Sequence, residues 1–216
     1  MVQIIPAIDV ATEEEYKETL KKIEDSRVFE DGWVHIDFAD NIFAPWKTIT
    51  PDILKKYPTK LKIEVHLMTR DPWVWVDDFD YRGSTVRRVI VHVELPEGEL
   101  RRFDEEVEHM NGTGLALNPE TQVQKVRPFV AKIDTVLIMS VHPGKQGQEF
   151  MPDVLEKIKQ LKGMGDFLIG VDGGITPENA KMIVDAGADY LVVGSHLIEG
   201  NIDENLEKFW EILQES

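Results

Sequence analysis

The sequence predicts an α/β protein folded as a closed (β/α)8 TIM barrel, and three observations carry that expectation. Eight short apolar runs recur along 216 residues, about one strand–helix unit per 27 residues. Each run is four to seven residues long and rich in Val, Ile or Leu, as a parallel strand buried on both faces should be. No Pro/Ser-rich linker or low-complexity tract interrupts the series, so residues 1–216 are expected to form a single domain. A doubly wound open sheet is the rival. Its dinucleotide fingerprint would sit in the first strand–helix turn, and AIDVATEEE holds no glycine there.

In order, the strands are expected at 4–8, 33–38, 61–67, 89–93, 113–117, 135–139, 167–171 and 190–193. Thr12 with Glu15 three residues on reads as a capping box that opens the first helix. The loop SVHPGKQGQEF follows the sixth strand and runs into a helix starting near Pro152. After the seventh strand, Thr176 supplies an N-cap and Pro177 a first-turn proline. In the last helix Leu206, Phe209, Trp210 and Leu213 fall at i, i+3, i+4 and i+7, which gives it one buried face.

The balance of 24 basic against 40 acidic residues leaves a net charge of −16, which repels nucleic acid and anionic membranes. With no cysteine in the chain, disulfides, thiolate nucleophiles and thiolate metal sites are excluded. The opening MVQIIPAIDV lacks the basic region and cleavage site of a signal peptide. No apolar run approaches the ~20 residues of a membrane helix. A cytoplasmic address is the expectation.

In such a barrel the reacting groups sit at the C-terminal ends of the strands. The second strand ends in HIDFAD, the third in EVHLM and the seventh in VDGG. His35 and Asp37 are two apart and share one face of their strand. If that face is the interior, His35, Asp37, His66 and Asp172 converge near the mouth. Two imidazoles and two carboxylates suit one zinc, manganese, iron or cobalt ion. The glycine-bearing loops SVHPGKQGQ, VDGG and VVGS offer backbone N–H groups to an anion, and loops seven and eight are the usual phosphate site of this fold.

The segments HIDFAD, HLM, VHVE, GLALNP, MSVHPGKQGQ, VDGGI and VVGS, in this order, resemble the ribulose-phosphate 3-epimerases over about residues 5–197. The resemblance implies a (β/α)8 barrel that interconverts D-ribulose 5-phosphate and D-xylulose 5-phosphate, a step of the pentose phosphate pathway, with one divalent metal and no nucleotide cofactor. It places the metal ligands on His35, Asp37, His66 and Asp172, and the acid/base pair on Asp37 and Asp172. Inverting a carbon beside a ketone removes a proton on one face and returns one on the other, so two positioned carboxylates are needed. The resemblance also implies methionines around the metal, Met68 and Met139, and phosphate contacts from Gly144, Gly147, Gly174, Gly194 and Ser195. Its members form dimers and hexamers, so a homo-oligomer is expected. His92 and Asn118 are expected to be structural, and His109, His142 and His196 to be solvated or loop residues.

The departures cluster around the substrate. Ala7 replaces the family's substrate-touching serine, Ala39-Asp40-Asn41 its Met-Asp-Gly, and Trp46 an asparagine. Lys145 and Gln146 stand in a phosphate loop that otherwise reads PGFGGQ; Lys145 is set to give phosphate a charge-assisted bond or to be a solvated loop lysine. These changes leave D-allulose 6-phosphate or another ketose phosphate as alternative substrate, and a non-catalytic sugar-phosphate binder as alternative role. A decarboxylase of the orotidine-phosphate type would need Asp-x-Lys-x-x-Asp from Asp37, but Ala39 and Ile42 occupy the lysine and second aspartate positions.

Overall fold

A computed structural model describes residues 2–26, 32–77, 79, 85–107, 110, 112–144 and 147–214. Its eight strands are β1 (Gln3–Ile8), β2 (Trp33–Ala39), β3 (Lys62–Met68), β4 (Val86–His92), β5 (Thr113–Leu117), β6 (Thr135–Met139), β7 (Leu168–Asp172) and β8 (Tyr190–Val193). All neighbouring pairs are parallel, and β8 returns to β1, closing the barrel. Helices α1 (Glu13–Asp25), α2 (Asp52–Lys56), α3 (Trp73–Val76), α4 (Glu97–Glu106), α5 (Val154–Leu161), α6 (Pro177–Ala186), α7 (Ser195–Ile198) and α8 (Ile202–Gln214) alternate with the strands; a 3₁₀ helix, Val123–Phe129, follows β5. The fourth strand starts three residues before the expected 89, and the seventh extends one further, to Asp172. No helix among the described residues is long and apolar enough to cross a membrane.

Local signals act as their chemistry dictates. Thr12 and Glu15 cap α1 reciprocally, at 3.3 Å from the Glu15 N–H to the Thr12 hydroxyl and 3.0 Å from the Thr12 N–H to the Glu15 carboxylate. Thr176 caps α6 in the same manner with Asn179, and Gly187 ends that helix at φ 118°, a conformation that glycine adopts without Cβ strain. The outer faces of the strands and the helix faces form one large apolar core, which includes Leu206 and Phe209 of α8.

The barrel interior is divided. Ile5, Ala7, Ile90, Ala116, Leu137, Met139, Tyr190 and Val192 fill it from β1, β4, β5, β6 and β8. From β2, β3 and β4 it also receives buried polar groups: His35, Asp37, Glu64, His66, Arg88 and His92. Gly170 on β7 makes room for Tyr190, since a Cβ there would meet the Tyr190 ring at 2.1 Å. Such a concentration of buried charge is costly unless every member is paired.

Candidate active site

The β2–β3 register pairs Asp37 with His66 and His35 with Glu64, while β6–β7 pairs Met139 with Asp172. Side chains alternate along a strand, so His35 and Asp37 face the interior together, and Glu64, His66 and Met68 do the same from β3. Asp37 Oδ1 lies 2.8 Å from His66 Nδ1 and 3.2 Å from His35 Nε2. One donor atom from each of His35, Asp37, His66 and Asp172 falls within 4.8 Å of the other three. Ligands at ~2.0–2.2 Å from a common ion stand about 3–4.4 Å apart, so a small inward movement suffices for all four. The all-N/O donor set suits a borderline divalent ion. The residues fit the group.

Burial drives the Asp172 carboxyl up to about 8, and the charge of Asp37 pushes the same way. Burial works against the Asp37 charge too, but His35 and His66 hold that carboxyl well below the usual carboxylate range. His35 rises well above an ordinary histidine despite its burial, because Asp37 and Glu64 both face it. Burial takes His66 down to about 4. Their surroundings thus push the two carboxyls apart, favouring the proton on Asp172 and the charge on Asp37.

The supporting groups did not stand out in the sequence. Glu64, fully buried, accepts from His35 Nδ1 at 2.7 Å and from the Arg88 guanidinium. Arg88 in turn lies 4.7 Å from the Trp33 ring and 5.2 Å from the Tyr190 ring. The Ser140 hydroxyl donates toward the carbonyls of Asp172 (2.8 Å) and Gly173 (2.6 Å), which holds the end of β7. His92, expected to be structural, has its Nε2 2.9 Å from His66 Nε2. Glu64 and Arg88 read as ordinary charges in short strands; the signal that could have found them is their period-two spacing from His66 and His92.

A cavity of about 400 Å³ opens above this centre. Asp37, Asp172, Met68 and Met139 line it, as do Gly144, Gly147, Gly174, Gly194 and Ser195. Lys145 and Gln146 lie outside the described residues, as does His109. Gly174 sits at φ 61°, and a Cβ there would meet the Phe150 nitrogen at 2.5 Å, so the loops after β6 and β7 pack backbone to backbone. The described lining carries four acids, Asp9, Asp37, Glu149 and Asp172, against two groups able to become cationic, His142 and His196. Both histidines are exposed, as expected, yet they also line the cavity, which the sequence reading missed. An anionic ligand here depends on backbone N–H groups and on any bound cation to offset that field.

Residues 3–198 match the ribulose-phosphate 3 epimerase family. The chain belongs to that family. It is 37% identical to the ribulose-phosphate 3-epimerase of Chlamydia trachomatis over 176 residues, 77% of this chain and 74% of that protein. With the Synechocystis enzyme of the same name it shares 34% identity over 203 residues, 90% of this chain and 86% of that one. A tryptophan synthase α-subunit from Pyrococcus furiosus superposes with a TM-score of 0.70 at 14% identity, covering 98% of this chain and 100% of that one, a likeness of fold alone. As a ribulose-phosphate 3-epimerase family member, the chain is an isomerase acting on a carbohydrate. The family uses a divalent metal, and the His/Asp cluster is a place where this member can hold one.

This epimerase homologue accommodates its departures physically. Asn41, in place of the family's glycine, adopts φ 62°, the left-handed region that Asn tolerates better than most side chains. Ala39, in place of methionine, packs with Ala44 and Met68, and Phe43 and Trp46 cover the group. The Trp46 indole N–H donates to Asp9 Oδ1 at 2.9 Å. Both Ala7 and Asp9 line the cavity.

Proposed function

We propose that this protein is a divalent-metal-dependent 3-epimerase of a ketose phosphate, interconverting D-ribulose 5-phosphate and D-xylulose 5-phosphate. The observation that carries the reading is the meeting of Asp37 and Asp172 at the floor of one cavity, from strands that flank β8 and β1 on either side. One aspartate takes the proton from carbon 3, leaving an enediolate, and the other returns a proton to the opposite face; the reverse reaction exchanges their roles. His35, Asp37, His66 and Asp172 would hold the ion, which when bound supplies Lewis-acid stabilisation of negative charge on substrate oxygens. Met68 and Met139 wall the reacting carbon with apolar surface. Backbone at Gly144, Gly147, Gly174, Gly194 and Ser195 receives the phosphate, and Lys145 adds a charge. A homo-oligomeric state and a cytoplasmic address are part of the same reading, on the family resemblance.

A second substrate reading, a ketohexose 6-phosphate such as D-allulose 6-phosphate, is favoured by one observation: Ala7 withdraws a hydroxyl from the sugar wall, and Asp9 with Trp46 brings a carboxylate to it. NMR in D2O with zinc-, manganese-, iron- or cobalt-loaded enzyme tests both. Deuterium entering carbon 3 of one sugar, with its epimer appearing, identifies the substrate. Absence of exchange with either sugar under all four metals overturns the epimerase reading and leaves a sugar-phosphate binder.

A further inference from the structure

Asp9 stands on a stretch of cavity wall that neither the cluster of possible metal ligands nor the glycine loops account for. It lies one residue beyond β1, is half-buried and lines the cavity. Two residues earlier, Ala7 shares its face of the strand. Ala7 pairs with His35 on β2, and Pro6 with Val193 on β8. Continued past the strand ends, these registers bring Asp9 level with Asp37 on one side and beside the Gly194–Ser195 turn on the other.

The carboxylate is held in place. The Trp46 indole N–H donates to Asp9 Oδ1 at 2.9 Å. Trp46 is fixed in turn, because its backbone N–H donates to the Ala44 carbonyl at 2.7 Å and its carbonyl accepts from the Asn41 N–H at 2.8 Å. Its side chain packs against Ala39, Ala44 and Met68.

Three parts of a metal-bound sugar phosphate can meet this wall, and chemistry removes two. A carboxylate repels the phosphate. The ion has donors of its own in His35, Asp37, His66 and Asp172, a group to which Asp9 does not belong. A sugar hydroxyl is left, a donor to which a carboxylate oxygen is an acceptor. Position selects which hydroxyl. Asp37 and Asp172 mark the reacting carbon 3, Gly194 and Ser195 mark the phosphate, and Asp9 lies between them. In a ketopentose 5-phosphate, the hydroxyl between carbon 3 and the phosphate is that of carbon 4.

We propose that Asp9, oriented by Trp46, is a specificity-determining residue that accepts a hydrogen bond from the carbon-4 hydroxyl of the ketose phosphate. This role rests on the proposed ketose-phosphate activity and adds a residue that neither ligates the ion nor moves the carbon-3 proton. A site built around a substrate hydroxyl rejects the analogue that lacks it. Water reaches the half-buried Asp9, which limits the loss to about 10–100-fold.

The test pairs the side chain with its hydroxyl, using the full chain in the presence of zinc. Calorimetry compares D-ribitol 5-phosphate, which has no ketone and cannot react, with its 4-deoxy counterpart. The wild type should bind the deoxy ligand about 10–100-fold more weakly. Asp9→Leu, which has no acceptor, should bind both alike. Asp9→Asn keeps an oxygen for the Trp46 N–H and should narrow the discrimination even if Asp9→Leu does not fold. Equal affinity of the wild type for the two ligands, or affinity for neither, overturns the proposal. Unchanged discrimination in Asp9→Leu or in Asp9→Asn overturns it too. Wild-type discrimination lost in the variants, but with no deuterium exchange at carbon 3 of D-ribulose 5-phosphate, overturns the epimerase reading alone and leaves Asp9 as a determinant of sugar-phosphate binding.

Discussion

Replacing Arg88 by methionine removes the counter-charge of a carboxylate that has no solvent. Glu64 is fully buried and is bonded to His35 on one oxygen and Arg88 on the other. The change in side-chain volume is small, so cavity formation contributes little. What is lost is the ion pair and the stacking of the guanidinium between Trp33 and Tyr190. Breaking one side of a buried pair costs about 3–5 kcal/mol, because the remaining charge is uncompensated. The His35 Nδ1 donor stays in place, which puts the expectation at the lower end, about 3 kcal/mol. For a chain of this length that is a fall in Tm of about 6–12 °C. Urea unfolding of the metal-free full chain gives the value by linear extrapolation. The double variant Glu64→Gln, Arg88→Met should lose less than the sum of the two single changes, since a neutral amide needs no counter-ion. A loss below about 1 kcal/mol for Arg88→Met, or strict additivity in the cycle, would refute the view that charge pairing stabilises the polar half of the barrel.

Asp172→Asn should abolish solvent exchange at carbon 3 while leaving the far-ultraviolet circular dichroism unchanged; retained exchange would remove Asp172 from the reaction. Metal affinity should rise with pH by about tenfold or more per unit up to pH ~8, because a proton must leave Asp172, whose carboxyl stands at about 8, before it can ligate. Calorimetry in buffers of different ionisation enthalpy would count that proton. The metal-free fold should respond in the opposite sense. Asp172 binds its proton more tightly folded than unfolded, where a carboxyl titrates near ~4, so its contribution is complete below that pH and is lost as pH rises through about 8; His35, also raised, acts in the same direction. His66, taken down to about 4, acts in the opposite sense but only below its unfolded value near ~6.5, so a Tm that climbs between pH 7 and pH 9 would contradict this. Gly174→Ala should cost about 1–3 kcal/mol of backbone strain at φ 61° and raise KM for the sugar phosphate more than it lowers kcat, as steady-state kinetics would show.

Asn41 and Trp46 illustrate how sequence differences become compatible with one barrel. Asn41 takes the left-handed turn, while the Asp40 carboxylate accepts from the N–H groups of Ile42 and Phe43, both at 2.8 Å. The loop so formed carries Trp46 to Asp9 and packs Pro45 against Gly144, where an added Cβ would come within 2.8 Å of it. A test of its place in substrate choice is Trp46→Phe, which should shift the KM ratio between five- and six-carbon ketose phosphates with less effect on kcat.

The sequence by itself determined the eight-unit order, the capping of α1 and α6, and the strand ends on which His35, Asp37, His66 and Asp172 lie. These are local properties: alternation of apolar runs, residue type at a helix start, and a two-residue spacing on a strand leave signals within a few positions of one another. Only the tertiary structure decided which charges are paired. Glu64 meets Arg88, His66 meets His92 and Asp9 meets Trp46 across sequence separations of 24, 26 and 37 residues. Those partners are set by strand register and barrel closure. A buried charge can persist only where closure brings its counterpart within hydrogen-bonding distance.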